Sequence, residues 1–244
     1  MGLKSWRIYK KQQQFSPGVL GLINNPFFAA RRGLFTAIKV LAAHLSGKVL
    51  DVGCGQKPYA ELFANTEYIG MEIDTEENRQ NKRADQFYDG HTFPFVSNTF
   101  EGVICNQVFE HVFNPQEFMA EICRVLKPGG ILLLTVPFVW DEHEQPWDYA
   151  RYTSNGISHI LEQNNFEIIE QRKSTTGIKA IFQLINAYLY KITRAKIAFF
   201  RLKHIGMLLF PFVNIAGEVA SILLPDNQDI YLDNVILARK TSHE

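Results

Sequence analysis

The run Lys48-Val49-Leu50-Asp51-Val52-Gly53-Cys54-Gly55, followed by Tyr68-Ile69-Gly70-Met71-Glu72-Ile73-Asp74, narrows the choice of fold more than any other part of the chain. An apolar strand runs into a glycine turn, and an acidic residue closes a second strand 21 positions after Asp51. That is the layout of a nucleotide-type pocket at the edge of a parallel sheet. Gly53 and Gly55, with Cys54 between them, let the backbone turn tightly and approach a ligand closely. Glu72, followed by Ile73, can accept both hydroxyls of a ribose. A bare glycine pair says little; strand, turn, helix, strand and acid in register say much more.

The rest of the chain reads as one α/β domain with an insertion. Its 244 residues are too few for two ordinary domains. Seven strands are expected, at 48–52, 67–73, 84–89, 100–105, 131–136, 166–173 and 230–239. They give a doubly wound, Rossmann-like sheet, mostly parallel, with an antiparallel last strand at its edge. A helix is expected from Pro26 to about Leu45. Another starts at Pro115 with Asn114 as its cap, buries Met119, Ile122, Val125 and Leu126, and stops at Pro128-Gly129-Gly130. Thr153 opens a third. The organisation is a basic arm and helix (1–45), a core (46–176), an apolar and basic helical insertion (177–228) and a final edge strand and tail (229–244).

The insertion is longer than the fold requires. Ile178, Ile181, Phe182, Ile185, Tyr188, Leu189 and Ile192 recur in it at helical spacing. The segment GMLLFPFVNIAGEVASILLP is long enough to span a membrane, but Pro211, Asn214 and Glu218 argue against a span. A helical hairpin that caps the site, or lies in a membrane interface, fits better.

Formal net charge is zero but unevenly spread. Residues 1–50 hold eight Lys/Arg and no acid, residues 51–170 seven bases against twenty acids, and residues 171–217 eight bases and no acid. Such segregation fits an anionic membrane surface, or two basic segments that neutralise an acidic body. Three separated cysteines give no zinc or disulfide framework and suit a reducing compartment. The first residues, MGLKSWRIYKKQQQF, lack the apolar core of a signal peptide. A cytoplasmic protein, free or peripheral to the cytoplasmic face of a membrane, is therefore expected.

These motifs resemble the class I S-adenosylmethionine-dependent methyltransferases over residues 46–175. VLDVGCG resembles that family's first motif and YIGMEID its second. YDGHTFPFVSNTFEGVICNQVFEHV resembles the stretch that flanks the adenine, and RVLKPGGILLLTVP the segment leading into the fifth strand. The resemblance implies S-adenosylmethionine as cofactor. Asp51 would meet its amino group, Glu72 its ribose, Asp89 and Gly90 its adenine, and Asn106 its methionine end. Where the family often has a third glycine, two after Gly55, this chain has Lys57.

Methyl transfer from a sulfonium is an in-line displacement, so the protein mainly aligns donor and acceptor and excludes water. A hydroxyl acceptor also needs a base. The segment from Pro137 to Tyr152 follows the fifth strand, where acceptor-binding loops stand. Its EH, DY and RYT elements resemble methyltransferases of glycan or secondary-metabolite pathways. His143 is the candidate base, because histidine is the one residue type in that segment whose ordinary range reaches neutrality. Gln107, Trp140, Asp148, Tyr149 and Arg151 are candidate acceptor contacts, with an Arg151–Asp148 pair that merely locks the loop as the alternative.

No metal is expected, since the adjacent residues 141–144 would not converge on one ion. Nucleic acid is not expected as a partner, because CNQVFEH after the fourth strand is not a nucleic-acid methylation motif. Lys57-Pro58 disfavours a nicotinamide enzyme. The expected activity is methylation of an oxygen in a small or lipid-linked acceptor such as a glycan precursor. The alternatives are a quinone-like lipid acceptor and a non-catalytic cofactor-binding module. Oligomeric state is left open.

Overall fold

The structure is a computed structural model that describes residues 13–81, 84–194 and 200–241. Trp6 and Tyr9 of the basic arm, and Lys196 of the insertion, lie outside the described residues. Seven strands form one sheet: β1 (Lys48–Val52), β2 (Glu67–Ile73), β3 (Gln86–Tyr88), β4 (Phe100–Asn106), β5 (Leu126–Pro137), β6 (Phe166–Thr176) and β7 (Tyr231–Lys240). Their order is β3-β2-β1-β4-β5-β7-β6. β1 to β5 pair in parallel and β7 runs antiparallel to β5. The helices are α1 (Val19–Asn24), α2 (Phe28–Leu41), α3 (Glu76–Asn81), α4 (Pro115–Val125), α5 (Ser154–Gln163), α6 (Gly177–Arg194) and α7 (Phe200–Leu223). This is the expected Rossmann-like architecture.

Three local expectations need correction. β7 is not an edge strand, because it lies between β5 and β6. Eight consecutive residues of it are buried, which an edge strand with a solvated face would not allow. The Pro128-Gly129-Gly130 run does not stop α4. That helix ends at Val125, and the glycines fall in the first part of β5, where the pairing with β4 slips between Phe100 and Gly102. Asn114 stands at the N-cap of α4, but its side chain donates to Glu117 Oε2 at 3.3 Å and caps no backbone amide. Thr153 does cap α5, accepting from the Gly156 N–H.

The described residues pack as two compact units. One comprises residues 37–138, 142–172 and 233–241 and holds the sheet's core. Val103, Cys105, Leu132, Leu134 and Ile236 on the strands bury against Met119 and Ile122 of α4 and Ile157 and Leu161 of α5. Continuous apolar strands are what a sheet covered on both faces demands.

The other unit comprises residues 13–36, 139–141 and 173–232 and contains α6 and α7. Its interior is tied by amides. Asn214 donates to the carbonyls of Leu22 (2.9 Å) and Asn25 (3.0 Å) and accepts from Asn186 Nδ2 (2.8 Å). Gln183 donates to Pro26 O and accepts from the Ala30 N–H. Gly217 passes close to Phe182, where an added Cβ would lie 2.9 Å from that residue's Cβ. Asn214→Ala should cost about 2 kcal/mol of stability, because it strands the buried Asn186 amide and removes two bonds to half-buried carbonyls. Urea unfolding checks this, and a midpoint equal to wild type would show that Asn214 is dispensable.

Among the described residues no helix is long and apolar enough to cross a membrane. The outer faces of α6 and α7 remain apolar: Ile185, Tyr188 and Ile192 on the first, and Phe212, Ile215 and Ile222 on the second, are exposed.

Candidate active site

The site grows from the turn after β1. Gly53 (φ +68°) and Gly55 (φ +52°) adopt the left-handed conformation that glycine enters without strain. The amides of Gly53 and Cys54 donate to Met71 O on β2, at 2.9 and 3.1 Å. The Gly55 N–H donates to Glu72 Oε2 at 3.0 Å. Glu72 therefore fastens the glycine turn to β2, and its Oε1 lies 3.3 Å from the Ile73 N–H. Lys57, in the place of a third glycine, takes φ +55°. Its ammonium bonds Asp85 at 2.5 Å, and the same carboxylate oxygen accepts from the Gly70 N–H. Cys54 is inert, because burial pushes its thiol up to about 12.

Asp51, next to last in β1, has its carboxylate buried and hydrogen-bonded by the Tyr68 hydroxyl. Burial lifts its pKa from 3.8 to about 7. The Tyr68 hydrogen bond opposes that rise, nearby Glu72 adds to it and Lys57 offsets part of it. A raised acid destabilises the fold only when ionised. The effect is absent below pH 3.8, grows as pH rises and is complete above about 7. Asp51→Asn should therefore flatten the fall in melting temperature between about pH 4 and 7. A profile parallel to wild type would show that Asp51 ionises without cost.

Across the sheet edge, Asp89 Oδ1 accepts from the amides of His91 and Thr92, at 2.8 and 2.9 Å, which holds its pKa below the usual range. The carboxylate is exposed. Gly90 turns beside it at φ +91°, with the side chain of Ile73 as its near neighbour. After β4, Gln107 takes φ +54°, a strained position for a residue with a Cβ. Its amide N–H and Nε2 reach Thr135 Oγ1, and the same hydroxyl donates to Asn106 Oδ1 at 2.8 Å. Thr135 thus fixes both polar side chains at the carboxyl ends of β4 and β5, where a doubly wound sheet binds ligands.

The loop after β5 folds back onto the turn after β4. The amides of Tyr149 and Ala150 donate to Glu110 O, at 2.9 and 3.2 Å. That brings His143 beside Glu110 and His111. The rings of His111 and His143 meet edge to face, 4.9 Å apart. Nε2 of each faces Glu110 Oε1, at 3.8 and 4.0 Å respectively. Asp148 holds His143 from the other side: its Oδ2 accepts the backbone N–H at 2.9 Å and lies 3.3 Å from Nδ1. Arg151 clamps Asp148 through both oxygens, at 2.6 and 2.7 Å.

The two acids of this cluster are driven apart. Arg151 lowers Asp148 to about 2, helped by the His143 N–H, against the burial that would raise it. Burial lifts Glu110 to about 8, with Asp233 and Asp148 adding to it. One carboxyl stays ionised and the other holds its proton near neutrality, an arrangement that sites for proton transfer use.

Of the candidate acceptor contacts, Gln107, Asp148, Tyr149 and Arg151 lie in the sheet unit with His143. Asp148 and Arg151 face each other, and Tyr149 is exposed with its ring 5.2 Å from that of Phe113. Trp140 belongs to the other unit and packs on Phe27. Glu110 was not among the residues singled out from sequence. The only cue was the Glu-His pair just after β4.

The residues fit the cofactor that the motifs imply. Asp51 is a buried acid suited to a cationic amino group, and Glu72 is a half-exposed acid suited to a diol. The profile of a methyltransferase-domain family matches residues 28–171. The chain is 35% identical over 101 residues to an uncharacterised methyltransferase of Mycolicibacterium gilvum, covering 38% of this chain and 39% of that protein's length. It is 24% identical over 161 residues to the O-methyltransferase rstn1 of Aspergillus nomiae, covering 55% and 72%. In three dimensions it resembles phosphoethanolamine N-methyltransferase 2 of Haemonchus contortus, solved with S-adenosyl-L-methionine. That likeness has a TM-score of 0.54 at 18% identity, over 96% of this chain and 60% of the other, and shows the shared fold. Glycine turn, strand order and profile agree: the chain belongs to the methyltransferase-domain family, of the class I S-adenosylmethionine-dependent type.

Proposed function

We propose that the protein methylates an oxygen of a lipid-linked acceptor, with His143 taking the acceptor's proton. The observation that carries this reading is the Asp148–His143 pair. Asp148 is ionised, only 2% of its side chain is exposed, and it stands against Nδ1 of His143. It fixes the tautomer with the proton on Nδ1 and stabilises the imidazolium that forms, so Nε2 carries the lone pair. Arg151 acts as a positioning residue by holding Asp148. An amine acceptor of ordinary nucleophilicity has less need of such a base than a hydroxyl does. When bound, the cofactor supplies a methyl group already activated by its sulfonium charge. The similarity to an O-methyltransferase supports transfer to oxygen.

The exposed apolar faces of α6 and α7 support a lipid-linked acceptor, since a soluble acceptor gives no reason for such surfaces. Basic residues concentrated in the same segment of sequence suit an anionic membrane. The test is transfer of labelled methyl groups from S-adenosylmethionine to a panel containing a polyprenyl-linked sugar, the free sugar, a hydroxylated quinone precursor and a primary amine. Ether formation on a lipid-linked hydroxyl, lost in His143→Gln, is expected. Label on the amine alone would overturn transfer to oxygen. Equal use of the free sugar, with no co-sedimentation with anionic vesicles, would overturn the lipid-linked part.

A further inference from the structure

We propose that Glu110, His111 and His143 form a binding site for a first-row divalent transition-metal ion such as Zn²⁺. The three residues offer one carboxylate oxygen and two imidazole nitrogens, all within 4.8 Å of one another. Glu110 is fully buried, and among the described residues neither of its oxygens has a hydrogen-bond partner. A buried carboxyl group with no hydrogen-bond partner is costly, and a cation that displaced its proton would offset that cost. Its Oε1 points at Nε2 of both histidines.

The outer contacts prepare the two imidazoles. Nδ1 of His111 lies 2.9 Å from Trp147 O, and a carbonyl can only accept, so that nitrogen carries the proton. Nδ1 of His143 faces the Asp148 carboxylate, itself held by Arg151. In each neutral ring the remaining lone pair is then on Nε2, turned toward Glu110. Histidine ligands held at the far nitrogen by a carbonyl or a carboxylate are the usual support of a metal site.

Bonds of about 2.1 Å to a tetrahedral ion put donor atoms about 3.4 Å apart, so each imidazole needs to draw in by about half an ångström toward Glu110, and the widest donor separation by up to about 1.4 Å. Two nitrogens among three donors favour Zn²⁺, Co²⁺ or Fe²⁺ over Mg²⁺ and Ca²⁺, which prefer oxygen. His111 and His143, with side chains 16% and 30% exposed, leave a way in.

Ion binding does not depend on which acceptor is methylated; only its effect on turnover rests on His143 as the base. One lone pair cannot hold both a metal and a proton, so a loaded site should block the transfer that the metal-free site supports.

The experiment uses untagged, chelator-treated protein, titrated calorimetrically with Zn²⁺ and with Mg²⁺ and followed by Co²⁺ absorption. Expected are one Zn²⁺ per chain, an intense visible Co²⁺ spectrum and a melting temperature raised by Zn²⁺. Glu110→Gln and His111→Gln, near-isosteric replacements, should each weaken Zn²⁺ binding at least about 100-fold, and Asp148→Asn about 10–100-fold. No saturable Zn²⁺ binding in the wild type, or equal binding in wild type and both first-named variants, would overturn the site. A rise in methyl transfer on loading would keep the site and overturn His143 as the base. Inhibition by one equivalent would support both.

Discussion

His143→Gln should lower the rate of methyl transfer by about 10²–10⁴-fold, the usual worth of a positioned general base, while leaving the affinity for S-adenosylmethionine unchanged. Glutamine keeps the size and polarity of the side chain and removes the titrating nitrogen. The residues that the sequence motifs assign to the cofactor lie elsewhere, on the turn after β1 and at the ends of β2, β3 and β4, so binding has no reason to change. Single-turnover rates in the presence of a chelator, with calorimetric dissociation constants alongside, separate the two quantities. A rate within about threefold of wild type would remove His143 from the chemistry. Equal loss of rate and of cofactor affinity would mean that the substitution had merely disordered the loop.

The second large effect concerns Gly53. A Cβ built there would lie 2.4 Å from Val108 Cγ2, and the backbone sits at φ +68°. Gly53→Val combines overpacking, about 1–3 kcal/mol, with a left-handed residue, about 1–2 kcal/mol. Either the turn moves, taking Gly55 and its bond to Glu72 with it, or the fold weakens. Cofactor affinity should fall by about 100-fold or more. The double variant Gly53→Ala, Val108→Ala separates the causes, because it relieves the clash and leaves the dihedral strain. Normal affinity in Gly53→Val would mean that the turn does not hold the cofactor. The obstruction is the neighbouring Val108 side chain, which the sequence motif alone does not reveal.

What was legible in the sequence is what is encoded locally. Strand, glycine turn and the acid that closes β2 lie within 25 residues, from Lys48 to Glu72, and the continuous apolar run of β5 announces a strand covered on both faces. Position 57 was readable only as a departure. The structure accommodates Lys57 by left-handed backbone and by Asp85, 28 positions away. The Glu110–His111–His143 cluster was illegible because it depends on a loop that returns to bond one backbone carbonyl, at Glu110. No periodicity records such a contact. Asn214 hides for the same reason: within a helix it reads as a flaw in an apolar face, until its bonds to Leu22 and Asn25, some 190 residues earlier, are seen.

The place of β7 also dictates when the enzyme can assemble. β5 needs β7 as its partner on one side, yet residues 138–230 must be synthesised before β7 emerges from the ribosome. Throughout that interval the growing chain carries an unpaired β5 backbone edge, joined late in it by the apolar faces of α6 and α7. An open edge and an exposed apolar surface are the two features that most invite wrong partners. Cofactor binding on the nascent chain should accordingly appear late and abruptly, when a strand more than 170 residues from the glycine turn slots into the middle of the sheet. For this chain, chaperone demand is written into strand order rather than into composition.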